Sequence, residues 1–340
     1  MSFADGLEVS QEQDTVSGGD TVAQPITGVI PPIVTPLTDG GDVDSGSLRR
    51  LIDHVLAEGA RGVFVLGSTG EGTSFTAAQR TRVIELAADH LDGRGQLLAG
   101  VLAPSTAQTA ELIPGAVAAG ADAVVAAAPF YVATHAAEVD RHYRRLAEVA
   151  GPVPLVAYDI PPRVHSKLGA QVVIGLAADG VIAAVKDSSG DLPGLRGLLT
   201  ERENHGITGF TILTGAEPTA DVATALGVDG IIPGLGNLTV SPFVTILDVV
   251  SGGDLKAAAA AQAKILDLMA VFDVGDRGRI SDSSATTGGI KSALVMMGVI
   301  DSAAVAEPLS RLDDSETARI RDLLVAAGLL SPRGPAPARA

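Results

Sequence analysis

Over most of its length the chain alternates between short apolar runs and longer amphipathic stretches. Residues 61–66, 96–102, 122–127, 154–158, 181–187, 210–213 and 230–232 are runs of small and β-branched apolar residues. Runs of this kind read as strands buried on both faces, as in a parallel sheet. An earlier run, 28–36, is equally apolar, but its prolines fit poorly inside a sheet. Between the runs the apolar period becomes helical. Leu48, Leu51, Ile52, Val55 and Leu56 form one stripe, stopped at Gly59. Thr76 and Gln79 form a capping box ahead of the stripe Val83, Leu86, Ala87 and Leu91. Further helices are predicted over 106–119, 138–150, 168–178, 192–203 and 218–226, the second stopped by Gly151-Pro152.

An internal echo supports this division. Ala57-Glu-Gly-Ala-Arg-Gly-Val-Phe-Val, Ala119-Gly-Ala-Asp-Ala-Val-Val and Ala225-Leu-Gly-Val-Asp-Gly-Ile-Ile share one logic: a helix end, a glycine at the C-cap, then an apolar strand. Eight strands alternating with helices between about 28 and 252 fit a closed (β/α)8 TIM barrel. The competing architecture, a doubly wound open sheet, usually carries a Gly-rich dinucleotide turn after its first strand, where this chain has Pro36-Leu37-Thr38-Asp39. After Val250, helices are predicted at 257–272, 289–297 and 315–327 with no strands between them, which makes a C-terminal helical extension. The expected organisation is a disordered extension over 1–27, the barrel over 28–252, the helical region over 253–330 and a flexible tail over 331–340.

Composition narrows the function classes. The net charge of −16 offers no basic face to nucleic acid. Cysteine is absent, which removes disulfides and thiolate metal sites, and none of the six histidines forms an HxxxH or HxH pair, so no metal is expected. No apolar run is long enough to span a bilayer, and the N-terminus lacks the basic start and apolar stretch of a signal peptide, so a cytoplasmic protein without a membrane partner is expected.

In a barrel of this type, chemistry collects at the C-terminal ends of the strands. Those ends carry Gly67-Ser68-Thr69-Gly70-Glu71, Phe130-Tyr131, Tyr158 with Arg163 beyond it, Lys186, and Pro233-Gly-Leu-Gly-Asn237. A lysine amine in a dry place loses hydration of its charged form, and the neutral amine attacks carbonyls. The chain has only five lysines, and one of them, Lys186, ends an apolar run. A phenol such as Tyr158 moves protons to and from carbinolamine and enamine. The backbone amides and hydroxyls of Ser68-Thr69 suit a carboxylate, and Arg163 suits a second one. Taken singly, each has a plainer reading: a lysine snorkelling out at a strand end, a half-buried tyrosine, a tight turn, a surface ion pair, interface packing for Tyr131, and a helix-start carboxylate for Glu71. A phosphate site at the glycine loops after strands seven and eight is disfavoured, because Gly215-Ala-Glu217 puts a carboxylate there with no evident cation. The plain readings do not explain why all these residues fall at one end of the barrel.

Three motifs together resemble the dihydrodipicolinate synthase / N-acetylneuraminate lyase family of pyruvate-dependent class I aldolases: Gly67-Ser-Thr-Gly-Glu71, Tyr158-Asp-Ile-Pro-Pro-Arg163, and Val185-Lys-Asp-Ser-Ser-Gly190. The resemblance spans about residues 28–328, and the 28-residue step from Tyr158 to Lys186 fits it. It implies Lys186 as the Schiff-base lysine and Tyr158 as the proton shuttle, with Gly67, Ser68 and Thr69 at the pyruvate. It implies Tyr131 in a neighbouring subunit's site, relayed through Thr69 to Tyr158. Arg163 would meet the second substrate, and the Ile232 carbonyl would line the pyruvate pocket. It also implies a homotetramer needing no cofactor or metal, and an aldehyde partner, with aspartate semialdehyde in lysine biosynthesis as the leading assignment. Ser68 stands where synthases usually have threonine, and Val164 where Ser or Thr is common. The Lys186-Asp-Ser-Ser-Gly segment is equally similar to aldolases of 2-keto-3-deoxy sugar acids and 4-hydroxy-2-oxoglutarate.

Overall fold

The computed structural model describes residues 24–331. The expected disordered extension lies outside the described residues except for its last four, and the expected tail lies outside them beyond 331. Ile26 is buried with Leu98 and Ala123, so packing begins two residues before the expected start at 28.

The strands are β1 (Gly28–Val29), β2 (Gly62–Val65), β3 (Gln96–Gly100), β4 (Ala123–Ala127), β5 (Leu155–Asp159), β6 (Ala184–Asp187), β7 (Thr211–Thr214) and β8 (Gly230–Ile231). They form a parallel sheet in the order β1-β8-β7-β6-β5-β4-β3-β2. An isolated bridge between Pro32 and Phe64 brings β1 back to β2 and closes the barrel. The predicted strand over 28–36 is therefore ladder-bonded for only two residues. Prolines 31, 32 and 36 have no amide proton, and the seam is stitched through their neighbours, with Phe64 N–H donating to the Pro31 carbonyl at 2.9 Å and Ile33 N–H to the Phe64 carbonyl at 3.0 Å. The buried Asn237 finishes this seam. Its Oδ1 accepts from Val34 N–H at 2.9 Å, and its Nδ2 donates to the carbonyls of Pro32 at 3.0 Å and Gly234 at 2.8 Å.

Around the barrel run α1 (Ser45–Ala57), α2 (Ala77–Leu91), α3 (Thr106–Ala118), α4 (Ala136–Ala150), α5 (Pro161–Val164), α6 (Ala170–Ala178), α7 (Leu192–Asn204), α8 (Ala220–Leu226) and α9 (Ser241–Ser251). The α1 stripe of Leu48, Leu51, Ile52 and Val55 is buried as its spacing predicts, and Asp44 caps the helix by accepting from Gly46 and Ser47. The Thr76–Gln79 capping box is present at the start of α2.

Period-two alternation along the strands separates two apolar layers. Val125, Val156, Tyr158, Ala184 and Leu213 face into the barrel, while Val124, Ala126, Ala157, Val185 and Ile212 face the helices. The C-terminal region adds α10 (Leu255–Leu268), α11 (Asp282–Met296) and α12 (Asp314–Ala326). Helix α11 starts seven residues earlier than its apolar pattern predicts, capped by Ser281. Its first two turns are Ser-, Thr- and Gly-rich, poor helix formers, and they are helical because most of them are buried, chiefly against the rest of the C-terminal region. No helix among the described residues is long and apolar enough to cross a membrane.

Asn237→Ala removes three hydrogen bonds from a dry seam and leaves a buried amide and carbonyls unpaired. The expected loss of stability is about 2–4 kcal/mol, read from chemical denaturation of the variant against the parent.

Candidate active site

Strands β5 and β6 pair so that Tyr158 lies opposite Lys186. Both side chains face the barrel interior and are 3% and 4% exposed. The Lys186 Nζ lies 4.2 Å from the Tyr158 ring centroid and 5.1 Å from that of Phe64, and the two rings meet edge to face at 78°. The amine thus rests on two aromatic faces beside a phenol. Two glycines make room for this packing. A Cβ at Gly215 would come within 3.0 Å of Lys186 Cε, and one at Gly67 within 2.8 Å of the Phe64 ring.

The Gly67–Glu71 loop is bent by two residues in the left-handed region, Leu66 at φ 58° and Glu71 at φ 56°. Such conformations in non-glycine residues persist only where the surroundings hold them. The Thr35 hydroxyl donates to the Gly70 carbonyl at 2.7 Å, and Gly72 N–H turns back to the Gly67 carbonyl at 3.1 Å. This arrangement presents Ser68 and Thr69 to a cavity of about 280 Å³. Arg163, on α5 just past β5, lines the same cavity and donates to Ser283 Oγ at 2.7 Å. Ser283, Thr286 and Thr287 of α11 form the facing wall. These three hydroxyls were invisible to the apolar pattern, which began that helix after them.

Glu71 is not the helix-start carboxylate its position suggested. It is buried, forms an ion pair with the equally buried Lys291 of α11, and accepts from Ala306 N–H at 2.6 Å. Lys291 also donates to the Ala304 carbonyl at 2.7 Å. Burial pulls the Lys291 ammonium below its ordinary pKa, and the Glu71 charge opposes that pull. The ion pair ties this cavity-lining loop to the C-terminal region.

Glu217 also departs from expectation. A cation does stand near it, since the charge of Lys186 favours its ionised form. Burial outweighs this and pushes the carboxyl up to about 7, against the pull of the Leu235 and Gly234 amides bonded to it. Because Glu217 occupies those amides, they are not free to hold a phosphate. Ile232 is buried in the inner layer at the end of β8. Tyr131 is 88% exposed and does not line the cavity, and among the described residues no hydrogen bond joins Thr69 to Tyr158. Of the expected site residues, Ser68, Thr69 and Arg163 line this cavity, whereas Tyr158, Lys186 and Ile232 lie buried in the barrel interior and, like Gly67 and the exposed Tyr131, are not among its lining residues. Among the described residues no cluster of His, Asp and Glu is placed to hold a metal ion.

Lys291→Met strands the Glu71 charge in a dry site. It should cost about 3–5 kcal/mol, and Glu71→Gln in the same chain should recover much of that loss in thermal melts. Glu217 has a folded-state pKa above its unfolded value, so its contribution to stability is full below about 4.5 and is lost as pH rises through about 7. Glu217→Gln should abolish that decline, which amounts to at most about 3 kcal/mol between pH 5 and 8, in a pH series of denaturation curves.

The sequence model of the Dihydrodipicolinate synthetase family matches residues 25–327. An uncharacterized DapA-like lyase of Halobacterium salinarum is 30% identical over 303 residues, covering 89% of this chain and 94% of that one. The 4-hydroxy-tetrahydrodipicolinate synthase 1 of Streptomyces coelicolor is 31% identical over 237 residues, covering 70% and 75%. Among solved structures, YagE from E. coli K12, a prophage protein of the dihydrodipicolinic acid synthase family in complex with pyruvate, superposes with a TM-score of 0.82 at 29% identity, covering 89% of this chain and 99% of that one. A parallel eight-stranded barrel, a buried lysine beside a tyrosine at its mouth, and a family match over nearly the whole chain lead to one conclusion: this chain belongs to the dihydrodipicolinate synthetase family and is a lyase of the class I aldolase type.

Proposed function

We propose that the protein forms a carbon–carbon bond, or breaks one, through a Schiff base between Lys186 and pyruvate. The observation that carries this reading is the in-register Tyr158–Lys186 pair, with the amine 4.2 Å from the phenol ring in a nearly water-free position. The Lys186 Nζ adds to the keto carbon. Loss of water gives a protonated imine, and loss of a C3 proton gives an enamine. The enamine carbon attacks the aldehyde carbon of the second substrate, and hydrolysis of the imine frees the product and the lysine. Tyr158 carries the protons between these steps. Ser68 and Thr69 hold the pyruvate carboxylate at the loop after β2, with Ile232 lining the pocket, and Arg163 grips a carboxylate on the second substrate. The chemistry needs no cofactor or metal.

The best assignment is 4-hydroxy-tetrahydrodipicolinate synthase, which condenses pyruvate with aspartate semialdehyde in lysine biosynthesis. Arg163 in the cavity and the similarity to the Streptomyces coelicolor synthase support it. The wall of hydroxyls from Ser283, Thr286 and Thr287 favours a second reading, an aldolase or dehydratase acting on a hydroxylated 2-keto-3-deoxy acid or 4-hydroxy-2-oxoglutarate. Tyr131 and Val132, 88% and 60% exposed, suit contact with another copy, which supports an assembly in which Tyr131 reaches a neighbour's site. By the family resemblance we assign a cytoplasmic homotetramer.

Steady-state turnover with pyruvate and aspartate semialdehyde, beside cleavage of a keto-deoxy acid panel, separates the two readings. Synthase turnover that falls about a thousandfold or more in Lys186→Ala is expected, as for removal of a covalent nucleophile. Brisk cleavage of a keto-deoxy acid with no condensation would reject the synthase assignment in favour of the aldolase.

A further inference from the structure

The pairing that brings Tyr158 opposite Lys186 also brings Asp159 opposite Asp187. Side chains alternate across a strand, so the two carboxylates point away from the barrel interior, directly behind the two inward groups. Both are almost fully buried, at 2% and 4% exposed. Cross-strand neighbours stand about 5 Å apart, where two unscreened negative charges repel strongly. Their counterion comes from neither strand. Lys167, in the segment between α5 and α6, is paired with Asp159, and its Nζ lies 3.4 Å from Asp187 Oδ2.

The remaining oxygens are satisfied locally. Asp159 Oδ1 accepts from Leu168 N–H at 3.0 Å, and Asp187 Oδ1 from Ser189 N–H at 2.8 Å. On the other side stands Tyr143 of α4, fully buried, its hydroxyl donating to the Ala126 carbonyl at 3.1 Å and its ionisation opposed by burial and by the Asp159 charge. Burial raises the Asp159 carboxyl, and the Asp187 charge adds to the rise against the pull of Lys167. Burial alone would lower the Lys167 ammonium, but its two carboxylates outweigh that and raise it. The group is thus two buried carboxylates sharing one cation, whose own side chain is 35% exposed. Replacing such an ion cluster with apolar packing is often neutral or stabilising, so stability alone does not account for it.

Its placement supplies another account. Lys167 lies four residues beyond Arg163, past His165 in the left-handed region at φ 59°. One ammonium therefore fastens together the strand end bearing Tyr158, the strand end bearing Lys186, and the loop bearing Arg163. We propose that Asp159, Lys167 and Asp187 are positioning residues: a clamp on the outer face of the sheet that sets the Tyr158–Lys186 geometry and holds the Arg163 loop over the cavity. This rests on the roles proposed above for Tyr158, Lys186 and Arg163.

The test compares Lys167→Met, Lys167→Arg and the isosteric Asp187→Asn, which keeps the Lys167–Asp159 pair, in the full chain. Three readouts are taken beside thermal melts: the rate of borohydride-trapped pyruvate adduct on Lys186, the KM for the carboxylate-bearing second substrate, and the rate of reductive methylation of Lys186 by formaldehyde. In Lys167→Met, adduct formation should fall about tenfold or more, as misplacement of a reacting group predicts, with a several-fold rise in that KM. Lys167→Arg should restore both to within about threefold, because it keeps the cation. Asp187→Asn should slow adduct formation at an unchanged second-substrate KM. Folded Lys167→Met and Asp187→Asn proteins with adduct rates and KM within about twofold of the parent would overturn the clamp. A parent that forms no pyruvate adduct contradicts the Schiff-base reading instead. The clamp is then judged on methylation alone, where a change of about fivefold or more supports it and a smaller one refutes it.

Discussion

The register of β5 on β6 is the constraint on which the site depends. Parallel strands alternate their side chains strictly, so one choice of pairing decides at once what stands inside the barrel and what stands behind it. Here it sets Tyr158 and Lys186 side by side in the interior and Asp159 and Asp187 side by side outside. A slip of one residue in either strand would exchange that strand's layers, sending the amine or the phenol to the helices and a carboxylate into the barrel. The small residues that precede them, Ala157, Ala184 and Val185, let the strands lie against their neighbours without competing for that space.

A second constraint is the handling of buried charge. Three sets of buried ionisable groups lie at the strand ends, and each fixes a different segment. Glu71 with Lys291 holds the Ser68-Thr69 loop to α11. Glu217 bonds the amides of Gly234 and Leu235, next to the seam that Asn237 completes. Lys167 draws the Arg163 loop onto β5 and β6. Removing one partner of the Glu71–Lys291 pair or the cation of the Asp159–Asp187 pair leaves a charge without compensation, so these pairs help to hold the segments they join. The C-terminal helices take part directly, giving Lys291 to one cluster and three hydroxyls to the cavity wall.

Much of this was readable in the chain. Apolar runs of strand length alternating with helical stripes specify the barrel, because both patterns follow from which faces must be dry. The inward residues at strand ends, Lys186 and Tyr158, followed from the same logic joined to the family motifs. What escaped was set by tertiary contact. The prolines of the 28–36 run marked it as a poor fit for a sheet, but not that only two of its residues would be ladder-bonded. Helix α11 began among Ser, Thr and Gly residues with no apolar period, so its hydroxyls stayed hidden. Glu71 looked like a helix-start carboxylate because its partner lies 220 positions away. The outer triad had a visible signal, an acid directly after each of Tyr158 and Lys186, and strand alternation alone would have put both on one face. The ammonium between them comes from a loop, and nothing local in the sequence announces where a loop lysine will land.

The most direct test of the central claim is borohydride trapping of the parent protein with pyruvate, read by intact mass and peptide mapping. The account predicts a single reduced pyruvate adduct, carried on the peptide containing Lys186. A protein that stays unmodified, or that carries the adduct on another of its lysines, would leave the barrel in place and contradict the role of Lys186.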